Sequence, residues 1–226
     1  METKGNNRAG TIMSPAAIEA ESMRIIEKEL AESGFFEERM PDPLELAVIK
    51  RVIHATADFD FAKNLVFTGE FFRAPLFSSK ETDIITDTNM ILSGINKPAM
   101  ERLKARAFCF MDGDEIKRMA EERGTTRASA AMEHAAGLYR NGIYVIGNAP
   151  TALLKLTELT EKGVVTPSLV VGVPVGFVNV KESKEQALKC FRDKHIPAVL
   201  SMGRKGGSKA AVAVINAVMY HKDRHL

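Results

Sequence analysis

Tryptophan is absent from the 226 residues and tyrosine occurs three times, so no aromatic ladder for stacking nucleic-acid bases is visible. An excess of one charge is also missing. The 31 Lys+Arg face 29 Asp+Glu, and a net charge of +2 argues for neither nucleic acid nor a membrane surface as a partner. Only two cysteines occur, Cys109 and Cys190. Neither has a second Cys or a His at metal-ligand spacing, so both read as buried or half-buried free thiols, with a disulfide or metal pair as the alternative. No apolar run reaches the roughly 18 residues of a membrane span. Met1–Gly10 is polar and lacks the apolar core of a secretory signal. These absences lead to the expectation of a cytoplasmic protein with a flexible leader at 1–13 and a single domain at 14–226. Standard catalytic signatures are missing as well. No G-x-G-x-x-G follows the first strand, GRKGGS lacks the Walker ending, and neither G-x-S-x-G nor H-E-x-x-H occurs.

A hydrophobic share of 45% with 27% charged residues is that of an ordinary globular chain with one well-filled core. Ser14-Pro15 and Asp42-Pro43 each join an N-cap residue to proline at the first helical position. Ile18, Ser22, Ile25, Ile26 and Leu30 continue the first helix to about Ser33. Leu44, Val48, Ile49, Val52 and Ile53 continue the second to near His54. Between Phe59 and Lys80 the pattern is irregular and reads as short helical pieces and a loop. A rhythm then sets in. Strand-like runs at Asp83–Asp87, Arg106–Met111, Ile143–Gly147, Ser168–Val173 and Ala198–Met202 alternate with helical stretches. The helical stretches are Met90–Gly94, Ala99–Leu103, Glu115–Arg123, Thr126–Tyr139, Thr151–Lys162, Ser183–Lys194 and Ser208–His221. This alternation predicts an α/β fold: a three-layer α/β/α sandwich on a mainly parallel sheet of about five strands.

In such a sheet the strand carboxyl ends share one edge, and ligands bind outside it near the point where strand order reverses. The residues after the five runs are rich in glycine and small polar side chains. They are Asp87-Thr88-Asn89, Asp112-Gly113-Asp114, Asn148 to Thr151, Pro174-Val175-Gly176 and Gly203 to Ser208. Any one of these turns is explained by capping and turn chemistry alone. Together they point to a site for an anionic molecule, with Arg204 and Lys205 available to carboxylates and Ser208 capping the last helix.

His54, in RVIHATADFD, has a side chain suited to proton transfer near neutrality, although a lone histidine at a helix end can also be a cap or a core residue. Thr56, Asp58 and Asp60 would orient it or simply cap the next turn. Thr126-Arg127 opens an alanine-rich helix, either as an N-cap with a surface arginine or as a carboxylate-pairing element. A polar site with one candidate proton donor and no nucleophile or metal cluster suggests isomerisation more than hydrolysis or redox chemistry.

RVIHATADFD, TDTNMILSGI, TTRASAAM, IGNAPTALLKL, GVPVGFVNVKESKE and GRKGGSKAAVAVINA together resemble the precorrin-8X methylmutase family, also called precorrin isomerase. The resemblance runs from about Ser14 to Val218, with motif order and spacing in agreement. It implies a Rossmann-like sandwich, a homodimer with sites near the interface, and an enzyme acting late in corrin-ring formation. The reaction it implies is a 1,5-sigmatropic shift of the ring-C methyl group from carbon 11 to carbon 12, giving hydrogenobyrinate or, with cobalt in the ring, cobyrinate. The family histidine corresponds to His54, the implied proton donor to the ring-C region. The candidate substrate-binding set is Ser14, Thr56, Asp87, Thr126, Arg127, Asn148, Thr151, Gly176, Ser183, Arg204, Lys205, Gly206, Gly207 and Ser208. No cofactor and no protein-bound metal are implied, since any cobalt belongs to the corrinoid substrate. Nucleic acid and membrane are not expected partners.

Three stretches depart from the pattern of the oxygen-dependent members. Ala55-Thr56-Ala57 stands where they read A-C-G, His134 stands near their tryptophan, and Lys205 replaces the second arginine of G-R-R-G-G-S. The T-A-D-F-D and R-K-G-G-S versions favour the cobalt-early branch. The rival readings are a corrinoid carrier without turnover and an α/β enzyme acting on another polycarboxylate.

Overall fold

The computed structural model describes residues 14–69, 71 and 81–223. The leader expected at 1–13, and most of the second half of the irregular stretch 59–80, lie outside the described residues. The two proline-led helices form as their caps predict. Ser14 accepts from the Ala17 amide at 3.3 Å and opens α1 (Pro15–Glu32). Asp42 accepts from Leu44 at 2.8 Å and opens α3 (Pro43–Thr56). A single turn, α2 (Phe35–Glu38), lies between them. The apolar positions of α3 lie on one face, and Leu44, Val48, Ile49, Val52 and Ile53 are all buried. Each such side chain contributes about 1.5–3 kcal/mol relative to exposure. The helix stops where Ala57 turns left-handed at φ 55° and its amide returns to the Ile53 carbonyl at 2.7 Å.

Among the described residues six strands form one sheet: β1 (Leu65–Thr68), β2 (Thr82–Thr86), β3 (Ala105–Cys109), β4 (Ile143–Ile146), β5 (Leu169–Gly172) and β6 (Ala198–Ser201). Their order is β1-β6-β5-β4-β2-β3, parallel throughout except for β1 against β6. The five expected strands thus appear within one or two residues of their predicted bounds. The sixth, β1, arises in the stretch read as helical pieces and loop, after the short helix α4 (Asp60–Asn64). Four residues are too few for a period to show, and this edge strand exists because β6 offers it a ladder, with Leu65 opposite Ser201.

β4, β5 and β6 are buried on both faces, as central parallel strands are. Ile143, Val145, Leu169, Val171 and Val199 pack with α3, α5 (Asn89–Gly94), α6 (Lys97–Arg102) and α11 (Ser208–Asp223). Tyr144, Ile146, Val170, Ala198 and Leu200 pack with α8 (Arg127–Leu138), α9 (Pro150–Glu161) and α10 (Val180–Asp193). The short α7 (Asp114–Glu122) lies against α8. Both faces are therefore covered, which is the three-layer arrangement expected. Among the described residues no helix is long and apolar enough to cross a membrane.

Candidate active site

β2 pairs with β3 on one side and β4 on the other, so the strand order reverses between the carboxyl ends of β2 and β4. Asp87, just past β2, sits at that point with 1% of its surface exposed. Its carboxylate accepts three backbone amides from the opposite turn, Gly147 at 3.0 Å, Asn148 at 2.8 Å and Ala149 at 2.7 Å. Burial pushes the carboxyl above its ordinary range, and the three amides oppose that rise. Asp87 was expected at the ligand. Here its oxygens are taken up by the IGNAP turn, and it shapes the edge from beneath. Beside it, Thr88 caps α5 through the Ile91 amide at 3.2 Å, and its hydroxyl lies 3.2 Å from that of Ser208, at the start of α11.

Two other candidates meet directly. The Thr126 and Thr151 hydroxyls are 2.8 Å apart, joining the amino ends of α8 and α9. Thr126 also caps α8 through Ser129 at 3.2 Å. Arg127 is exposed at the rim of a shallow cavity of about 410 Å³ that it shares with Lys117, Glu121 and Thr125. Asn148 is exposed, its amide bound to Asp87 and its side chain on the surface.

The GRKGGS turn depends on its glycines. Gly203 and Gly207 have φ of 77° and 120°, values that a side chain would strain. Gly206 is constrained by space instead, because a Cβ there would lie 2.1 Å from the Val173 carbonyl oxygen and 2.7 Å from that of Pro174. The Gly207 amide donates to the Val173 carbonyl at 2.9 Å, and the Gly176 amide reaches Arg204 O at 3.4 Å, so the turns after β5 and β6 lie against one another. Gly206→Ala is expected to push these turns apart and lower unfolding free energy by about 1–3 kcal/mol. A urea midpoint equal to wild type would show that the turns give way freely.

Beneath this turn lies Lys184, fully buried, its ammonium donating to the carbonyls of Gly203 and Lys205 at 2.9 Å each. Burial pulls its pKa down to about 8. It is the fourth residue of KESKE, and no local signal in the sequence reveals its burial. Its neighbour Ser183, a binding candidate, is also fully buried and donates to the Val180 carbonyl at 2.9 Å within its own helix. Above the turn the Arg204 guanidinium stacks 5.7 Å over Phe177. Phe177 is 86% exposed and Val178 78%, an apolar rim on the polar edge.

His54 is exposed in the last turn of α3. Thr56 donates to the Val52 carbonyl at 2.7 Å, so its hydroxyl serves its own helix. The Arg51–Glu19 ion pair at 2.6 Å sets α1, which Ser14 caps, beside α3. The turn after His54 is tied to the sheet edge by Lys205, whose ammonium lies 2.7 Å from Asp58 and 2.5 Å from Asp60. The Lys205 ammonium beside it holds the Asp58 carboxyl below the usual carboxylate range. Lys205 was expected to meet a ligand carboxylate. It meets two carboxylates of this chain.

A family model described as precorrin-8X methylmutase matches residues 17–221. The chain is 43% identical over 212 residues to the cobalt-precorrin-8 methylmutase of Salmonella typhimurium, covering 93% of this chain and 97% of that protein. It is 35% identical over 187 residues to the precorrin-8X methylmutase of Pseudomonas aeruginosa, covering 81% and 87%. The solved precorrin-8X methylmutase of Thermus thermophilus superposes with a TM-score of 0.80 at 34% identity, covering 93% of this chain and 97% of that one.

Proposed function

Because this chain belongs to the precorrin-8X methylmutase family, we propose that it moves the ring-C methyl group of cobalt-precorrin-8 from carbon 11 to carbon 12, giving cobyrinate, with His54 lending the proton. By its family the protein is an isomerase of cobalamin biosynthesis that moves a methyl group on a precorrin. In the step proposed, the bond from the methyl group to carbon 11 breaks as the bond to carbon 12 forms, and no atom is gained or lost. His54 protonates the ring-C nitrogen, which draws electron density toward that nitrogen and eases the migration. The proton returns as the product relaxes.

The observation that carries this reading is the tie between His54 and the sheet edge. An exposed histidine stands about one turn of chain before a lysine-bound loop whose neighbours are amides, hydroxyls and guanidinium groups. A rigid, many-armed substrate held by such groups needs little beyond orientation and one proton donor. Arg127 and Arg204 suit the acetate and propionate arms, and Phe177 and Val178 suit the flat ring. The substrate is read as cobalt-containing because identity is 43% to a cobalt-precorrin-8 enzyme against 35% to a precorrin-8X enzyme, in keeping with Lys205 and Thr56. We read the working form as a cytoplasmic homodimer with no resident cofactor.

The test follows the absorbance spectrum of cobalt-containing and cobalt-free precorrin-8 with the protein. Cobyrinate should form at least about tenfold faster than hydrogenobyrinate, a difference of about 1.4 kcal/mol in barrier. Equal rates, or faster cobalt-free turnover, would overturn the choice of substrate. Binding of both without conversion would leave a carrier and overturn the enzyme reading.

A further inference from the structure

We propose that Lys205 is a positioning residue, which holds the His54 turn against the GRKGGS loop through Asp58 and Asp60 and is not a direct ligand for the substrate. The inference rests on the reading of His54 as proton donor and adds the device that aims it.

The device starts in the core. The Lys205 carbonyl accepts two hydrogen bonds from below, from the fully buried Lys184 ammonium at 2.9 Å and from the fully buried Ser201 hydroxyl at 2.8 Å. Lys184 also holds the Gly203 carbonyl at 2.9 Å. A buried ammonium with both carbonyls in place makes a stiff support, because losing either bond would leave a desolvated polar group unmatched. The backbone of Lys205 is therefore fixed to the end of β6. Its side chain reaches outward from that base to Asp58 Oδ2 at 2.7 Å and Asp60 Oδ2 at 2.5 Å.

The two aspartates are joined to each other and to the helix before them. The Asp60 amide donates to Asp58 Oδ1 at 3.0 Å. Asp58 follows Ala57, the left-handed residue that ends α3, and His54 stands one turn back. On the other side, α4 runs straight into β1, and the Met202 amide donates to the Asn64 carbonyl at 2.7 Å. The segment from His54 to Asn64 is thus gripped at its far end by backbone pairing and at its near end by Lys205. Without the lysine, two carboxylates in one short turn would repel and loosen the near end of this segment, next to His54.

A ligand-binding role demands a cation free to meet a carboxylate. The Lys205 ammonium already has two carboxylate partners, whereas among the described residues Arg204 next to it stacks on an aromatic face and pairs with no carboxylate. The adjacent residues divide the work accordingly: Arg204 faces Phe177 and Lys205 faces Asp58 and Asp60.

The experiment compares Lys205→Met, Lys205→Arg and the double variant Asp58→Asn/Asp60→Asn in the full-length protein. Lys205→Met should lower kcat about tenfold, since small misplacements of a reacting group carry effects of that size, with the Kd for corrinoid product changed less than about twofold. Lys205→Arg should restore most of the rate. Asp58→Asn/Asp60→Asn should reproduce the loss, and adding Lys205→Met to it should cost nothing further. The His54 ring proton resonances should move in Lys205→Met whether or not His54 is the proton donor. That readout separates failure of this inference from failure of the mechanism above. A Kd weakened tenfold with kcat intact, or an unmoved His54 ring signal, would overturn the proposal.

Discussion

Turnover of precorrin-8 is expected to fall by about 10²- to 10⁴-fold in His54→Ala, the range associated with loss of a positioned proton donor. Product affinity should stay within about threefold, because one exposed ring among many polar contacts contributes little to binding. The fold should survive. His54 lies in the last, exposed turn of α3, whose stability comes from Leu44, Val48, Ile49, Val52 and Ile53 on the opposite face, and alanine favours a helix. Stopped-flow absorbance at saturating substrate measures the effect on kcat, and a spectral titration with product measures Kd. Wild-type turnover in the variant would remove His54 from the chemistry. A loss confined to Kd would make it a binding residue.

The second large effect is expected at Asp87, on stability and the shape of the site together. Asp87→Ala leaves the Gly147, Asn148 and Ala149 amides without their acceptor. An unsatisfied buried donor costs about 1–3 kcal/mol. Gly147 is buried while Asn148 is exposed, so water recovers part of the loss and a net drop of about 3 kcal/mol is expected. The same change frees the turn that carries Asn148 and Thr151, so corrinoid affinity should weaken as well. Asp87→Asn should be milder. It retains one oxygen for two of the amides and places an NH₂ group against the third. Urea unfolding followed by circular dichroism gives the stability, and spectral titration at a temperature where both variants stay folded gives the affinity. Unchanged urea midpoints in both variants would show that the three hydrogen bonds carry no net stability.

The elements that sequence reading located well are those with local causes. Proline at the first helical position with Ser14 or Asp42 before it starts a helix whatever the rest of the chain does, and both helices begin there. The apolar runs of β4, β5 and β6 are legible because strands buried on both faces need no alternation. The capping threonines were legible for the same reason: Thr126 bonds to an amide three residues ahead. The position of the candidate site also followed, since any parallel sheet gathers its strand ends along one edge.

What the sequence by itself determined is the layered α/β architecture, the edge at which polar turns gather and, through its motifs, the family. The tertiary structure alone decided which polar groups face outward and which lie underneath. Asp87 and Ser183, candidates for binding, are buried and bonded within the fold, and Lys184, which the sequence does not single out, is buried beneath a turn. The pairing of Lys205 with Asp58 and Asp60 joins residues 147 and 145 positions apart, and β1 becomes a strand only when β6 lies beside it. The physical reason is one of range. Caps and periodic burial act within a few residues and leave a mark in spacing, whereas desolvation and long-range ion pairs depend on what the folded chain brings alongside.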